Sequence, residues 1–141
     1  MDDKSVASII RRRTLVAQPP TATVREAATM MADRGIGAVP VVQGRNLIGI
    51  FTERDVLTRV VARGRSVERT RLREVMTRRP ETVATDCPII EALDVMIMGG
   101  FRHLPVVRAG EVVGVVSLRD ILGRNFVLHQ TRTEARDPVE A

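Results

Sequence analysis

The feature that most constrains this chain is an internal repeat. The stretch Gly49-Ile-Phe-Thr-Glu-Arg-Asp-Val-Leu57 returns 65 residues later as Gly114-Val-Val-Ser-Leu-Arg-Asp-Ile-Leu122, and residues 24–59 laid on residues 89–124 are identical at 12 of 36 positions. Duplication at this level means two homologous units. Each leaves an apolar sheet face that it cannot cover alone, so the two should pack together with pseudo-twofold symmetry and share a cleft.

Each repeat reads as β-α-β-β-α, a mixed α/β (α+β) unit. In the first, Pro19-Pro20 stops any regular element after a short strand near Leu15-Val16, and Thr21 or Thr23 then caps a helix. Val24, Ala27, Ala28 and Met31 form its apolar stripe and Gly35 its stop. Ala38–Val42 and Leu47–Phe51 flank the polar turn Gln43-Gly-Arg-Asn46, a hairpin in which Pro40 belongs at an edge or bulge. A second helix follows Thr52, with Val56, Leu57, Val60 and Val61 as its expected buried stripe and Gly64 as its stop.

Around the repeats, residues 4–13 carry Val6, Ile9 and Ile10 at helical spacing and end in Arg11-Arg-Arg13, read as a solvated helix end. The resulting division is an N-terminal helix (1–13), repeat one (14–64), a linker (65–79), repeat two (80–124) and a tail (125–141). The linker is arginine-rich, with one helical turn at Leu72-Val75-Met76. In the tail, Phe126, Val127 and Leu128 extend the last helix and Thr131–Ala141 frays.

The hydroxyl-x-x-acid pattern at Thr52/Asp55 and Ser117/Asp120 has two readings. A strand running into a helix there points first-turn N–H groups and the positive end of the dipole outward, where an anion such as phosphate is held. The same pattern is also an ordinary capping box that binds nothing.

Composition removes several function classes. One cysteine, Cys87, and two distant histidines exclude an internal disulfide and argue against a metal cluster. We find no nucleophile-base pair and no Walker-type glycine loop, so the chain reads as a non-enzyme, and Cys87 as inert. The longest apolar runs fall far short of a membrane span, and Met1–Ser5 does not resemble a secretory signal, which suggests a cytoplasmic protein. A net charge of +5 favours anionic partners, yet without Trp or Tyr and with only three Phe, base stacking on single strands is poorly served.

Taken together, the Ala-bearing helix, the Pro-Val-Val strand, the Gly-x-x-Thr/Ser-x-x-Asp junction and the string Gly100-Phe-Arg-His-Leu-Pro-Val-Val107 resemble a tandem pair of CBS (cystathionine β-synthase) domains over roughly residues 14 to 124. The resemblance implies a regulatory module that binds adenine nucleotides (AMP, ADP or ATP, possibly NAD or S-adenosylmethionine) between the repeats, with no other cofactor. It implies that Asp55 and Asp120 receive ribose hydroxyls, and that Thr52, Arg54, Ser117 and Arg119 meet phosphate. Val39, Pro40, Leu104 and Pro105 would then border adenine.

Arg102 and His103 stand where repeat one has Gly37 and Ala38, so the two pockets are chemically unequal; His103 is either part of a pocket or the filler of a boundary position. The resemblance further implies a homodimer that signals to an unidentified partner protein. Two other function classes stay open: a ligand-free dimerisation or adaptor module, and, ranked below it, a basic nucleic-acid binder.

Overall fold

The structure, a computed structural model, describes residues 4–123; the expectations for residues 125–141 lie outside them. Its elements are α1 (Ala7–Ile10), α2 (Val24–Arg34), β1 (Ala38–Gln43), β2 (Asn46–Thr52) and α3 (Glu53–Asp55), which continues as a π-helical stretch (Val56–Val61). After these come α4 (Leu72–Val75), β3 (Thr77–Arg78), β4 (Val83–Ala84), α5 (Ile89–Gly99), β5 (His103–Arg108), β6 (Glu111–Ser117) and α6 (118–123). None of the described helices is long and apolar enough to cross a membrane.

The two repeats form two three-stranded sheets, β1-β2-β3 and β4-β5-β6. Each hairpin is antiparallel and carries a register shift at the same place, Val41/Val42 and Val106/Val107, beside its proline. Pro40 sits in β1 opposite Ile50, and its carbonyl faces Gln18, so its nitrogen lies on that edge of the strand rather than in the ladder with β2. The strand expected at Leu15-Val16 does not form. The chain pairs only at Gln18, whose N–H donates to Pro40 O (3.1 Å) and whose carbonyl accepts from Val42 N–H (2.9 Å). Pro19-Pro20 cuts the pairing short immediately afterwards.

Local signals set the helix ends. Thr23 caps α2 in a full capping box: its hydroxyl accepts from Glu26 N–H (3.1 Å), and the Glu26 carboxylate accepts from Thr23 N–H (2.8 Å). Gly35 and Gly100 end α2 and α5 in the left-handed conformation, at φ 64 and 73, which glycine adopts without a Cβ penalty.

The stripe expected after Thr52 is only partly right. Val60 is fully buried, but Leu57 and Val61 are 62% and 61% exposed. This stretch closes i→i+5 bonds, Ala62 N–H to Leu57 O and Arg65 N–H to Val60 O (both 2.9 Å). The wider turn takes side chains off the 3.6-residue register on which the stripe was read.

Two apolar clusters fill the molecule. The first gathers Val24, Ala27, Met31, Val39, Val41, Phe51 and Val60 with Leu72, Val75 and Met76, so the arginine-rich stretch supplies part of repeat one's core. The second gathers Val83, Ala92, Met96, Leu104, Val106, Val116 and Ile121 with Val6 and Ile10. Residues 4–10 therefore pack in repeat two. Ile89 N–H donates to Lys4 O (2.7 Å) and Val6 N–H to Cys87 O (2.9 Å), just as Val24 N–H donates to Thr70 O and Leu72 N–H to Ala22 O (both 2.9 Å).

The pseudo-symmetry extends to single atoms. Gly49 and Gly114, equivalent in β2 and β6, lie directly under Met76 and Ile10. A Cβ at Gly49 would come 2.5 Å from Met76 Sδ and 2.9 Å from Thr77 O, whereas the nearest atoms to one at Gly114 belong to the side chain of Ile10, the first being Cδ1 at 2.9 Å. Backbone cannot yield as a side chain can. Gly49→Ala should therefore destabilise by about 1 to 3 kcal/mol through overpacking and Gly114→Ala by less, as measured by denaturant midpoints.

Candidate functional site

Both junctions fold as capping boxes. Thr52 Oγ1 accepts from Asp55 N–H (3.1 Å) while Asp55 Oδ2 accepts from Thr52 N–H (3.0 Å). In repeat two, Ser117 Oγ accepts from Asp120 N–H (2.9 Å) and Asp120 Oδ2 from Ser117 N–H (2.8 Å). Beyond the box the carboxylates differ. The Asp55 side chain is 9% exposed and its Oδ1 lies 3.4 Å from Arg59 Nε, within its own helix; Arg59 is fixed in turn by a bond to Met76 O (3.1 Å).

Asp120 is more open, at 19% exposure, and is gripped from far away in sequence. Arg13 Nη2 donates to Oδ1 (2.7 Å) and Nη1 to Oδ2 (3.0 Å), a fork between groups 107 residues apart. The arginines at the end of the first helix are exposed, as expected, and the last of them also reaches this carboxylate. Burial pushes the Asp120 carboxyl up, but the Arg13 fork and the Ser117 N–H outweigh it and hold the group below its ordinary value.

A cleft of about 1510 Å³ opens at this second junction. Repeat two contributes Ser117, Leu118, Arg119 and Asp120 with Arg102 and His103; repeat one contributes Gly35–Ala38 and Glu53; and the returning segment Ile10, Arg13, Thr14, Leu15 and Val16 forms a third wall. Thr52, Arg54 and Asp55 do not line this cleft, nor do Val39, Pro40, Leu104 and Pro105. Val39 and Leu104 sit fully buried in the two clusters, Pro40 and Pro105 are buried beside them, and Arg54 is exposed. Of the residues expected to meet ligand, the structure thus brings together Arg102, His103, Ser117, Arg119 and Asp120.

The sequence reading missed Arg13, the segment 14–16, Gly35–Ala38 and Glu53. Glu53 left a signal, because it occupies the slot of Leu118 and makes the junctions unequal in charge. Gly37 shows why that matters. Its carbonyl accepts from Glu53 N–H (2.9 Å), as Arg102 O accepts from Leu118 N–H (2.8 Å). A Cβ on Gly37 would lie 3.0 Å from Glu53 Oε1 and 3.1 Å from His103 Nε2, so a carboxylate of one repeat and an imidazole of the other converge over this glycine.

The CBS domain family profile matches residues 6–62 and 72–125. The chain belongs to the CBS domain family. It is 44% identical over 101 residues to the CBS domain-containing protein CBSCBSPB2 of Arabidopsis thaliana, a match that takes in 71% of this chain and 19% of that one. The CBS chain thus spans about one fifth of the length of CBSCBSPB2 and of its sister protein CBSCBSPB1. Among solved structures, a CBS domain protein of Pyrobaculum aerophilum complexed with AMP superposes with a TM-score of 0.79 at 29% identity, covering 92% of this chain and 99% of that one. A CBS-domain protein of Agrobacterium tumefaciens gives 0.78 at 28%, covering 86% and 98%. Tandem CBS pairs are regulatory modules, and the mixed fold with two small sheets is that of such a pair.

His103 is a half-buried titratable group in the lining of this CBS cleft. Burial lowers its pKa, which Glu53 and Asp120 oppose and Arg102 assists. Its folded pKa therefore lies below its unfolded one, and the unfolded chain binds the extra proton first as the solution is acidified. The associated stability is present above about pH 6.5 and is lost as pH falls through the folded value. His103→Gln should flatten the decline in melting temperature between pH 7 and pH 5; a decline as steep as in the wild type would show that the imidazole does not carry it.

Proposed function

We propose that this CBS pair is a regulatory module that binds one adenine nucleotide per chain, at the second junction, and signals to a partner protein. The observation that carries the reading is the convergence of Ser117, Arg119 and Asp120 with Arg102 and His103 on one cleft. The chemistry suits a nucleoside phosphate: a carboxylate accepts from vicinal hydroxyls, while a hydroxyl and arginine forks meet phosphate oxygens. The AMP complex of the Pyrobaculum relative supports the choice of ligand class. The first junction is a poor second site, because Asp55 is nearly buried and already paired with Arg59. A nucleic-acid role is not favoured: in the basic stretch Arg65 pairs with Glu74 (2.7 Å), Arg71 donates to Thr21 O (2.6 Å) and Arg78 to Arg73 O (3.1 Å).

Calorimetry with AMP, ADP, ATP, NAD and S-adenosylmethionine should give a stoichiometry of one for the nucleotide that binds tightest. Asp120→Asn, close in shape, should fold yet lose roughly 1.5 to 3 kcal/mol of binding, the worth of hydrogen bonds to a charged acceptor, whereas Asp55→Asn should leave affinity unchanged. Two equivalents, or equal losses in the two variants, would contradict the one-site reading.

The same reading makes the molecule a homodimer. Leu57, Val61, Ile90, Ile97, Met98 and Leu122 are large apolar side chains left exposed on its helices, and a second copy would cover them on association. Light scattering should give twice the 15.6 kDa chain mass, and Val61→Glu should shift it to the single mass.

A further inference from the structure

We propose that Arg13 makes the cleft selective for phosphorylated over unphosphorylated nucleosides, by occupying the ribose acceptor until a phosphate draws it away. The inference rests on the nucleotide reading above and adds to it a selectivity residue that precedes the repeated stretches 24–59 and 89–124.

The argument starts from the acceptor capacity of Asp120. A carboxylate offers about four lone-pair positions. Three are filled before any ligand arrives: Oδ2 accepts from Ser117 N–H (2.8 Å) and from Arg13 Nη1 (3.0 Å), and Oδ1 accepts from Arg13 Nη2 (2.7 Å). A vicinal diol needs two positions and finds one. The Ser117 bond is part of the helix cap, so releasing it would also loosen the strand-to-helix junction. The Arg13 fork is the weaker hold, because the Arg13 side chain is 47% exposed and can swing into the open cleft that it lines.

A bare nucleoside would replace the cationic donor by uncharged hydroxyls and leave the guanidinium without an anion. A nucleotide brings a replacement. A phosphate held at the Ser117 hydroxyl and Arg119 lies in the same cleft as Arg13, next to the carboxylate that Arg13 already reaches, so the guanidinium can pass from Asp120 to phosphate oxygens and keep a forked partner. The cost of vacating Asp120 then falls on nucleosides and is offset for nucleotides.

The test is calorimetry with adenosine and AMP on the full chain and three variants: Arg13→Gln, Arg13→Lys and, as a control for net charge, Arg12→Gln on the exposed neighbouring residue. The wild type should prefer AMP by at least about tenfold, the factor that corresponds to 1.4 kcal/mol. In Arg13→Gln adenosine should bind several-fold tighter than to the wild type while AMP does not gain, so that the preference shrinks by about tenfold. Arg13→Lys, which keeps the charge but loses the fork, should fall between, and Arg12→Gln should match the wild type. Adenosine affinity unchanged or weakened in Arg13→Gln overturns the proposal, even if AMP also weakens, because Arg13 would then be a phosphate ligand without being a competitor for Asp120. If neither AMP nor adenosine binds the wild type or Arg13→Gln, the nucleotide reading itself fails and the selectivity role with it.

Discussion

The structure depends most on how residues 4–13 are packed. They precede repeat one in sequence but complete the core of repeat two, with Val6 fully buried and Ile10 seated on Gly114. Repeat one needs no such loan, since Leu72, Val75 and Met76 follow it directly and fold back over β2. The crossing has a geometric result. Having packed against repeat two, the chain must return to Gln18 beside β1, and the path it takes runs through the mouth of the cleft. Arg13 and the wall at 14–16 stand in the site because connectivity brings them there.

The same atoms carry structural and chemical duties at the second junction. Asp120 accepts from the backbone at the helix start and also faces the cleft. These duties are compatible because the carboxylate has more lone pairs than the cap requires. At the first junction the equivalent Asp55 has less room, since its second oxygen faces Arg59 from one helical turn away and the side chain is nearly enclosed. One duplicated motif thus yields a closed joint and an open one. The difference comes from which cation reaches each carboxylate: Arg59 belongs to the helix itself, whereas Arg13 comes from outside the repeat.

Much of the fold was legible because its determinants are local or repeated. The hairpins, the caps at Thr23, Thr52 and Ser117, and the stops at Gly35 and Gly100 follow from residue chemistry within a few positions. The repeat added a constraint from far away, since each pattern could be read twice. The errors arose where a local rule met a non-local contact or an unusual geometry. Leu57 and Val61 sit at plausible helical spacing, but the π-helical turn spoils that register. Leu15 and Val16 look like a strand and serve as a wall of the cleft. The Arg13–Asp120 pair spans 107 residues, and nothing near either residue announces it. In the site, the residue types were legible; which of two similar junctions stays open was not, because that depends on burial.

The borrowed segment also bears on how the molecule assembles. Repeat one can close as it emerges, because Met76 follows Gly49 within a short stretch of chain and loop closure of that length is cheap. Ile10 is synthesised long before Gly114, the residue it must cover, and stays unseated through the making of both repeats. An apolar strand of chain that waits in this way is open to a neighbouring copy during synthesis, and a second repeat that accepts Val6 and Ile10 from another chain forms the same bonds as one that accepts its own. Chains crowded on one message therefore have a route to exchanged pairs, in which the N-terminal segment of each completes the core of the other.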